Sequence, residues 1–226
     1  MRFKQHVWRT LAGGLLATTG MATMSTSVGA SGGAVHQQQP VSWHAQQLHP
    51  AGTGNSGQVA GAEASLVRNA NGISYRINTT ELLAGHAYTL WLVVVNNPAA
   101  CDPSPCTAPD IINDPVTDSQ VTYAAGHVVG GSGEGTFAGA VRTGPLDGWL
   151  SARSLEDPMK AEVHLVMNDH GPALAEHLPG MIHTYRGGCS NASPFPAVFP
   201  ATALADGEPG PNTCLLYQAA IFLPVG

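Results

Sequence analysis

The stretch Glu81–Pro98 reads ELLAGHAYTLWLVVVNNP, and its interpretation decides the fold class. From Tyr88 to Val95 every residue is apolar, aromatic or β-branched, with Gly85 supplying a turn ahead of the run. A buried helix also tolerates such residues. The β-branched and aromatic content and the Asn96-Asn97-Pro98 stop favour a central strand instead.

Working outward, the same grammar recurs on both sides. In QVAGAEASLVRNANGISYRINT (Gln58–Thr79), two runs flank Asn69–Gly72, and Ile73, Tyr75 and Ile77 alternate with polar residues. That pattern reads as a hairpin closed by an Asn-Gly turn. SQVTYAAGHVVGG (Ser119–Gly131) and GTFAGAVRTG (Gly135–Gly144) give two short strands around the glycine-rich GGSGEG. KAEVHLVMND (Lys160–Asp169) is another, introduced by an Asp157-Pro158 turn, and LLYQAAIFLPV (Leu215–Val225) is the last. One short helix is expected over Ala173–Tyr185, interrupted by Pro179-Gly180. Many short strands with frequent Gly, Pro and Asn turns predict an all-β protein, an antiparallel β-sandwich of about seven to eight strands. A closed barrel is the alternative, and no internal repeat is visible.

The N-terminus reads as a targeting segment. Arg2, Lys4 and Arg9 precede a mildly apolar stretch, Leu11–Met24, which closes on Val28-Gly29-Ala30. This is the order of a cleavable signal peptide, residues 1–30, with cleavage near Ala30, so a secreted or periplasmic protein is expected. The apolar run is too short to span a bilayer, and no membrane span is expected in the mature chain. Residues 31–57, rich in Gly, Gln, Ser and Pro, read as a flexible leader, which leaves 58–226 as the folded domain.

Export changes the charge balance. The chain holds nine Lys and Arg against fifteen Asp and Glu. Three of the bases and none of the acids fall in residues 1–30, so the mature chain carries six against fifteen, a net −9. Lys160 is its single lysine. Nucleic acid and anionic membrane surfaces need clustered positive charge and are poor partners for it. In an exported chain the four cysteines read as two disulfides. Cys101 and Cys106 bracket a turn with two prolines and are expected to pair locally; Cys189 then pairs with Cys214. The second bond closes about 26 residues, a loop worth roughly 3 kcal/mol.

Chemistry centres on histidine. His86, His127 and His164 fall on three expected strands, and imidazoles converging from neighbouring strands suit copper or zinc. His170 is the fourth candidate ligand. Glu162 and Asp169 are placed to orient such rings, or to satisfy them as ordinary buried partners. In EVHLVMNDHGP (Glu162–Pro172) His164 and His170 share a face if the strand is extended, yet lie about 20 Å apart. They meet at one ion only if the chain bends after Met167. On the non-metal reading Met167 packs in the core with Val163 and Leu165. No thiolate is left for a blue-copper site, since every cysteine is taken by a disulfide.

Hydrolase signals are weaker, because GGSGEG has Glu134 where a nucleophile elbow needs glycine and sits between strands. The same glycines lack the Lys-Ser/Thr of a phosphate loop. The acids Asp102, Asp110, Asp114 and Asp118 lack the spacing of a calcium loop and read as turn chemistry.

Taken together, AGHAYTLWLVVVNNP (Ala84–Pro98), AEVHLVMNDHGP (Ala161–Pro172) and YRGGC (Tyr185–Cys189) resemble segments of exported bacterial β-sandwich proteins of unassigned function. The HAYTLW strand is more loosely similar to extracytoplasmic β-domains of anti-sigma factors and to chordin-type domains. The chain lacks the His-x-His pair of the chordin-type pattern. The resemblance implies fold and export. The expectation is a non-catalytic binding or structural module with no cofactor, whose partner is an extracytoplasmic ligand or protein. A copper- or zinc-binding protein or redox enzyme is the alternative, and a secreted hydrolase the third.

Overall fold

The computed structural model describes residues 34–40, 42–45, 59–148, 150, 154–176, 178–184 and 215–225. Eleven strands occur among them: β1 His36–Gln38, β2 Ser42–Ala45, β3 Glu63–Asn69, β4 Gly72–Thr79, β5 His86–Val95, β6 Ser119–Val128, β7 Gly135–Arg142, β8 Gly144–Pro145, β9 Ser154–Leu155, β10 Glu162–Pro172 and β11 Leu215–Phe222. They form a four-stranded sheet, β1-β3-β4-β7, a five-stranded sheet, β2-β11-β10-β5-β6, and a small ribbon, β8-β9. Every pairing is antiparallel. The protein is therefore all-β. No helix among the described residues is long and apolar enough to cross a membrane.

The expected hairpin is β3–β4, paired from Glu63↔Asn78 to Asn69↔Gly72. Gly72 is required by space as well as by the turn, because a Cβ there would collide with the Val141 carbonyl of β7. The run that opened the sequence is β5, inner strand of the five-stranded sheet, with β10 on one side and β6 on the other. Residues 87–95 are all buried. A strand covered on both faces has no reason to alternate, which explains its unbroken apolar sequence.

Both sheets contribute to one core. Leu66, Ile73, Tyr75, Ile77 and Phe137 come from the four-stranded sheet. Tyr88, Leu90, Leu92, Val94, Val163, Leu165, Met167 and Phe222 come from the five-stranded one. A second cluster lies on the other face of β5, where Trp91, Val93 and Val95 pack with Cys101, Cys106, Ile111 and Val121. The local disulfide is present: Cys101 and Cys106 are bonded, with Cα atoms 5.1 Å apart. Cys189 and Cys214 lie outside the described residues, as does the start of the chain through residue 33.

Two expectations need correction. The stretch read as a flexible leader supplies β1, which pairs with β3, and β2, which pairs with β11. These strands are short and polar, so no apolar period marks them. The helix expected over Ala173–Tyr185 is shorter, a helical stretch over 178–184 that is π-helical from Gly180 to Thr184, with Pro179 in its first turn, where a missing N–H is tolerated; residues 177 and 185 are outside the description. The regular helix, α1, is Ala108–Asn113 within the loop after the disulfide. Asp110 caps it, accepting from the backbone N–H and the hydroxyl of Thr107 at 2.7 and 2.6 Å. These bonds hold the Asp110 carboxyl below its usual range.

One buried cation joins the pieces. Arg68 shares the core-facing parity of Ala64 and Leu66 on β3 and is fully buried. Its Nε donates to Gln38 Oε1 of β1 at 2.5 Å. Nη1 donates to the carbonyls of Pro158 and Ala161 at 2.7 and 2.6 Å. Nη2 reaches those of Phe222 and Leu223 at 3.3 and 3.1 Å. A guanidinium has five N–H donors, and each finds an acceptor. Arg68→Met leaves those acceptors without their donor in a dry site, and should lower unfolding free energy in urea by about 3 kcal/mol or more. Arg68→Lys, with three donors and no fork, should recover only part of that loss.

Candidate functional site

The polar chemistry of the fold is concentrated on β10. Alternation sends Val163, Leu165 and Met167 into the core shared by the two sheets. Glu162, His164, Val166, Asn168 and His170 have the opposite parity, and Val166 packs on the second cluster. The strand runs extended through Asp169, in register with β5 from Glu162↔Val95 to Asp169↔Tyr88. The chain does not fold back after Met167, so His164 and His170 stay about 20 Å apart.

On the core side Asp169, 1% exposed, organises one end of the sheet. Its Oδ1 accepts the Gly171 N–H at 2.8 Å, an Asx-type turn that orients the carboxylate. Nδ1 of His86 lies 3.0 Å from both carboxylate oxygens. Tyr88 stands beside them and accepts the Leu83 N–H at 2.9 Å. Burial, and next the charge of Asp169, push the Tyr88 phenol well above its ordinary range. Tyr217 packs edge-on against Tyr88 at 5.7 Å between ring centres, and its hydroxyl donates to the Glu81 carbonyl at 2.7 Å. Burial first, then Asp169 and Glu81, raises that phenol too.

His127 opposes Tyr88 across the β5–β6 pair. Its ring stacks on Phe137 at 4.2 Å with 15° between planes, and burial lowers its pKa. Gly135 makes the room: a Cβ there would come within 2.9 Å of the Phe137 ring.

The opposite face of β10 carries a second carboxylate–imidazole pair. Glu162 is fully buried; its Oε1 accepts the Cys106 N–H at 2.8 Å and lies 2.6 Å from His164 Nε2. The disulfide loop is thereby tied to β10 by a backbone donor. At the other end of the strand His170, also fully buried, has Nε2 2.7 Å from Thr89 Oγ1. Thr89 in turn accepts the Trp91 indole N–H at 2.8 Å, leaving its own hydroxyl proton to donate to the imidazole. Burial lowers the His170 pKa to about 3, so the ring is neutral at physiological pH.

The four candidate ligands are thus divided. His86 and His127 have core-facing parity, while His164 and His170 lie on the opposite face. Each has its own neighbour: Asp169, Phe137, Glu162 and Thr89 respectively. Among the described residues no three His, Cys, Asp or Glu side chains converge as a metal-ligand set. Glu162 and Asp169 do hold imidazoles. GGSGEG connects β6 to β7 through a turn in which the Gly133 N–H donates to the Gly130 carbonyl at 3.2 Å. In the acidic loop, Asp114 accepts the Val116 N–H at 2.8 Å and Asp118 ends a short turn with φ of 50°.

Sequence reasoning missed Arg68 and Gln120. Gln120 is fully buried, and its Oε1 accepts the N–H groups of Val121 and Leu150 at 2.8 and 3.0 Å. Parity along β3 offered a signal for Arg68. None existed for Gln120, whose acceptor role depends on a distant loop.

No protein-family model matches the chain, and neither a curated protein nor a solved structure gives a significant match.

His170 generates a pH test. Its folded pKa, about 3, lies below the unfolded value of about 6.5, so the unfolded state takes up the proton first. Its contribution is intact above pH 6.5 and declines as pH falls toward 3. Between pH 7.5 and 5 the loss should be about 2 kcal/mol in urea unfolding, and His170→Gln should remove that share of the slope.

Proposed function

We propose that the chain is an exported, non-catalytic β-sandwich module that binds a ligand or partner protein in the periplasm or outside the cell. The two sheets that share one core support the sandwich. The basic-then-apolar start of the sequence and the Cys101–Cys106 bond support export. The observation that carries the non-catalytic reading is that all four strand histidines are engaged by neighbours within the fold, on both faces of one sheet. Groups committed in this way act as internal fasteners. The recognition surface then belongs to loops and exposed strand faces rather than to a histidine cluster.

A second reading, a copper- or zinc-binding protein, is favoured by one feature. Asp169 holds Nδ1 of His86, the arrangement that orients a metal-bound imidazole, and the His86 side chain is 22% exposed.

One experiment separates them. Chain stripped with chelator and reloaded with copper or zinc should retain no stoichiometric ion by elemental analysis. In parallel, His164→Ala, which leaves the Glu162 carboxylate buried without its imidazole, should cost about 3 kcal/mol. His86→Ala should cost less, because that pair is partly solvated. Retention of about one ion per chain, lost in His86→Ala, would replace the first reading with the second.

A further inference from the structure

The ends of the two sheets differ in how they are finished. An open strand edge offers unpaired backbone groups to any other strand, and proteins blunt such edges with short strands, bulges, lysines, prolines or covering segments. The described sheets end on β1 and β7, and on β2 and β6. β1 and β2 have only three and four residues. β6 is interrupted by a bulge, where its pairing jumps from Leu90↔Ala125 to Trp91↔Tyr123. It also carries the Gly180–Thr184 π-helical stretch, through Tyr123 donating to the Ile182 carbonyl at 3.0 Å.

Among the described residues β7 has none of these devices. It runs eight residues, GTFAGAVR, in unbroken register with β4, and contains no proline or lysine. Thr136, Ala138, Ala140 and Arg142 are exposed, and the first three are too small to screen the backbone. The charges at its two ends are opposite and equally spaced. Glu134 precedes the strand by one residue and Arg142 closes it, each four positions from Ala138. Neither side chain engages a partner among the described residues.

We propose that β7 is the interface of a homodimer. Two copies add their β7 edges antiparallel about a two-fold axis, Ala138 facing Ala138, and two four-stranded sheets become one of eight. In that register Arg142 of each copy faces Glu134 of the other, Ala140 faces Thr136, and exposed residues meet exposed residues. A two-fold interface must be self-complementary, and this strand carries its acid and its base at mirror positions. The opposite-charge pairs fix the register, which small side chains alone leave free to slip. A foreign strand has no reason to match that spacing, so the occupant is a second copy of this chain.

Sedimentation velocity on the full chain, across a micromolar concentration series, tests it. The wild-type chain should show a concentration-dependent dimer. Glu134→Arg and Arg142→Glu, tested singly, should each weaken it roughly tenfold by setting like charges opposite one another. The double exchange should restore it. Ala138→Lys, at an exposed site on the two-fold, should abolish it while circular dichroism and the thermal transition stay those of the wild type. A monomer throughout the series overturns the proposal. So does a dimer indifferent to Ala138→Lys and the single reversals, and so does a double exchange that fails to rescue.

Discussion

The fold depends on one guanidinium. Arg68 is buried where charge is costly, and its partners are carbonyl oxygens and one amide rather than a carboxylate. Burial lowers its pKa to about 10, which still leaves it charged at neutral pH. What makes such a charge tolerable is full satisfaction: a buried donor left unpaired costs more than a formed bond returns. The five bonds reach three places that the chain must bring together. Gln38 belongs to β1, Pro158 and Ala161 to the turn that feeds β10, and Phe222 and Leu223 to the end of β11. Gln38 completes the junction by donating its own Nε2 to the Leu223 carbonyl at 3.1 Å. A strand of the four-stranded sheet is thereby fastened to the five-stranded one through polar contacts of fixed direction, which hydrophobic packing alone does not supply.

From that junction β10 runs the length of the five-stranded sheet with a different duty on each face. Its core face is apolar until Asp169, which gathers His86, Tyr88 and the Gly171 N–H at one end. The opposite face is polar and buried, and two of its side chains reach other segments: Glu162 the disulfide loop, through the Cys106 N–H, and His170 the Thr89–Trp91 chain on β5. Low dielectric strengthens such contacts when they are complete, and so they specify which loop covers which part of the sheet. The histidines that make the sequence look like a metal protein are each engaged separately within the fold. Each has a neighbour on a strand: His86 has Asp169 and His164 has Glu162 on β10, His127 has Phe137 on β7, and His170 has Thr89 on β5.

Much of this was legible before any coordinates. The continuous apolar run of β5, the Asn-Gly hairpin of β3–β4 and the local Cys101–Cys106 bond all rest on short-range physics, and each is present. The pairing of Glu162 and Asp169 with imidazoles was also readable, because a buried ring needs a partner and these acids were the nearest. What stayed hidden depends on distant residues. β1 and β2 are strands only because β3 and β11 lie beside them. The sequence TAPDIIN carries a start signal for the helix Ala108–Asn113, a Thr with Asp three residues on, though its acids equally suit turns. Arg68 lies on an alternating strand, and its parity with Leu66 points inward, but the carbonyls that receive it come from distant segments. The positions of His86, His127, His164 and His170 on opposite faces follow from strand register, including the β5–β6 bulge, and a single sequence does not carry register.

The most direct test is NMR of the Arg68 side chain in isotope-labelled protein at mildly alkaline pH. A guanidinium held by five directed bonds should give separate, slowly exchanging signals for its Nε and Nη protons, with rotation about the Cζ–Nη bonds arrested. A single averaged set, exchanging with water as fast as that of an exposed arginine, would contradict the account, because the junction between the sheets would then not be made by this residue.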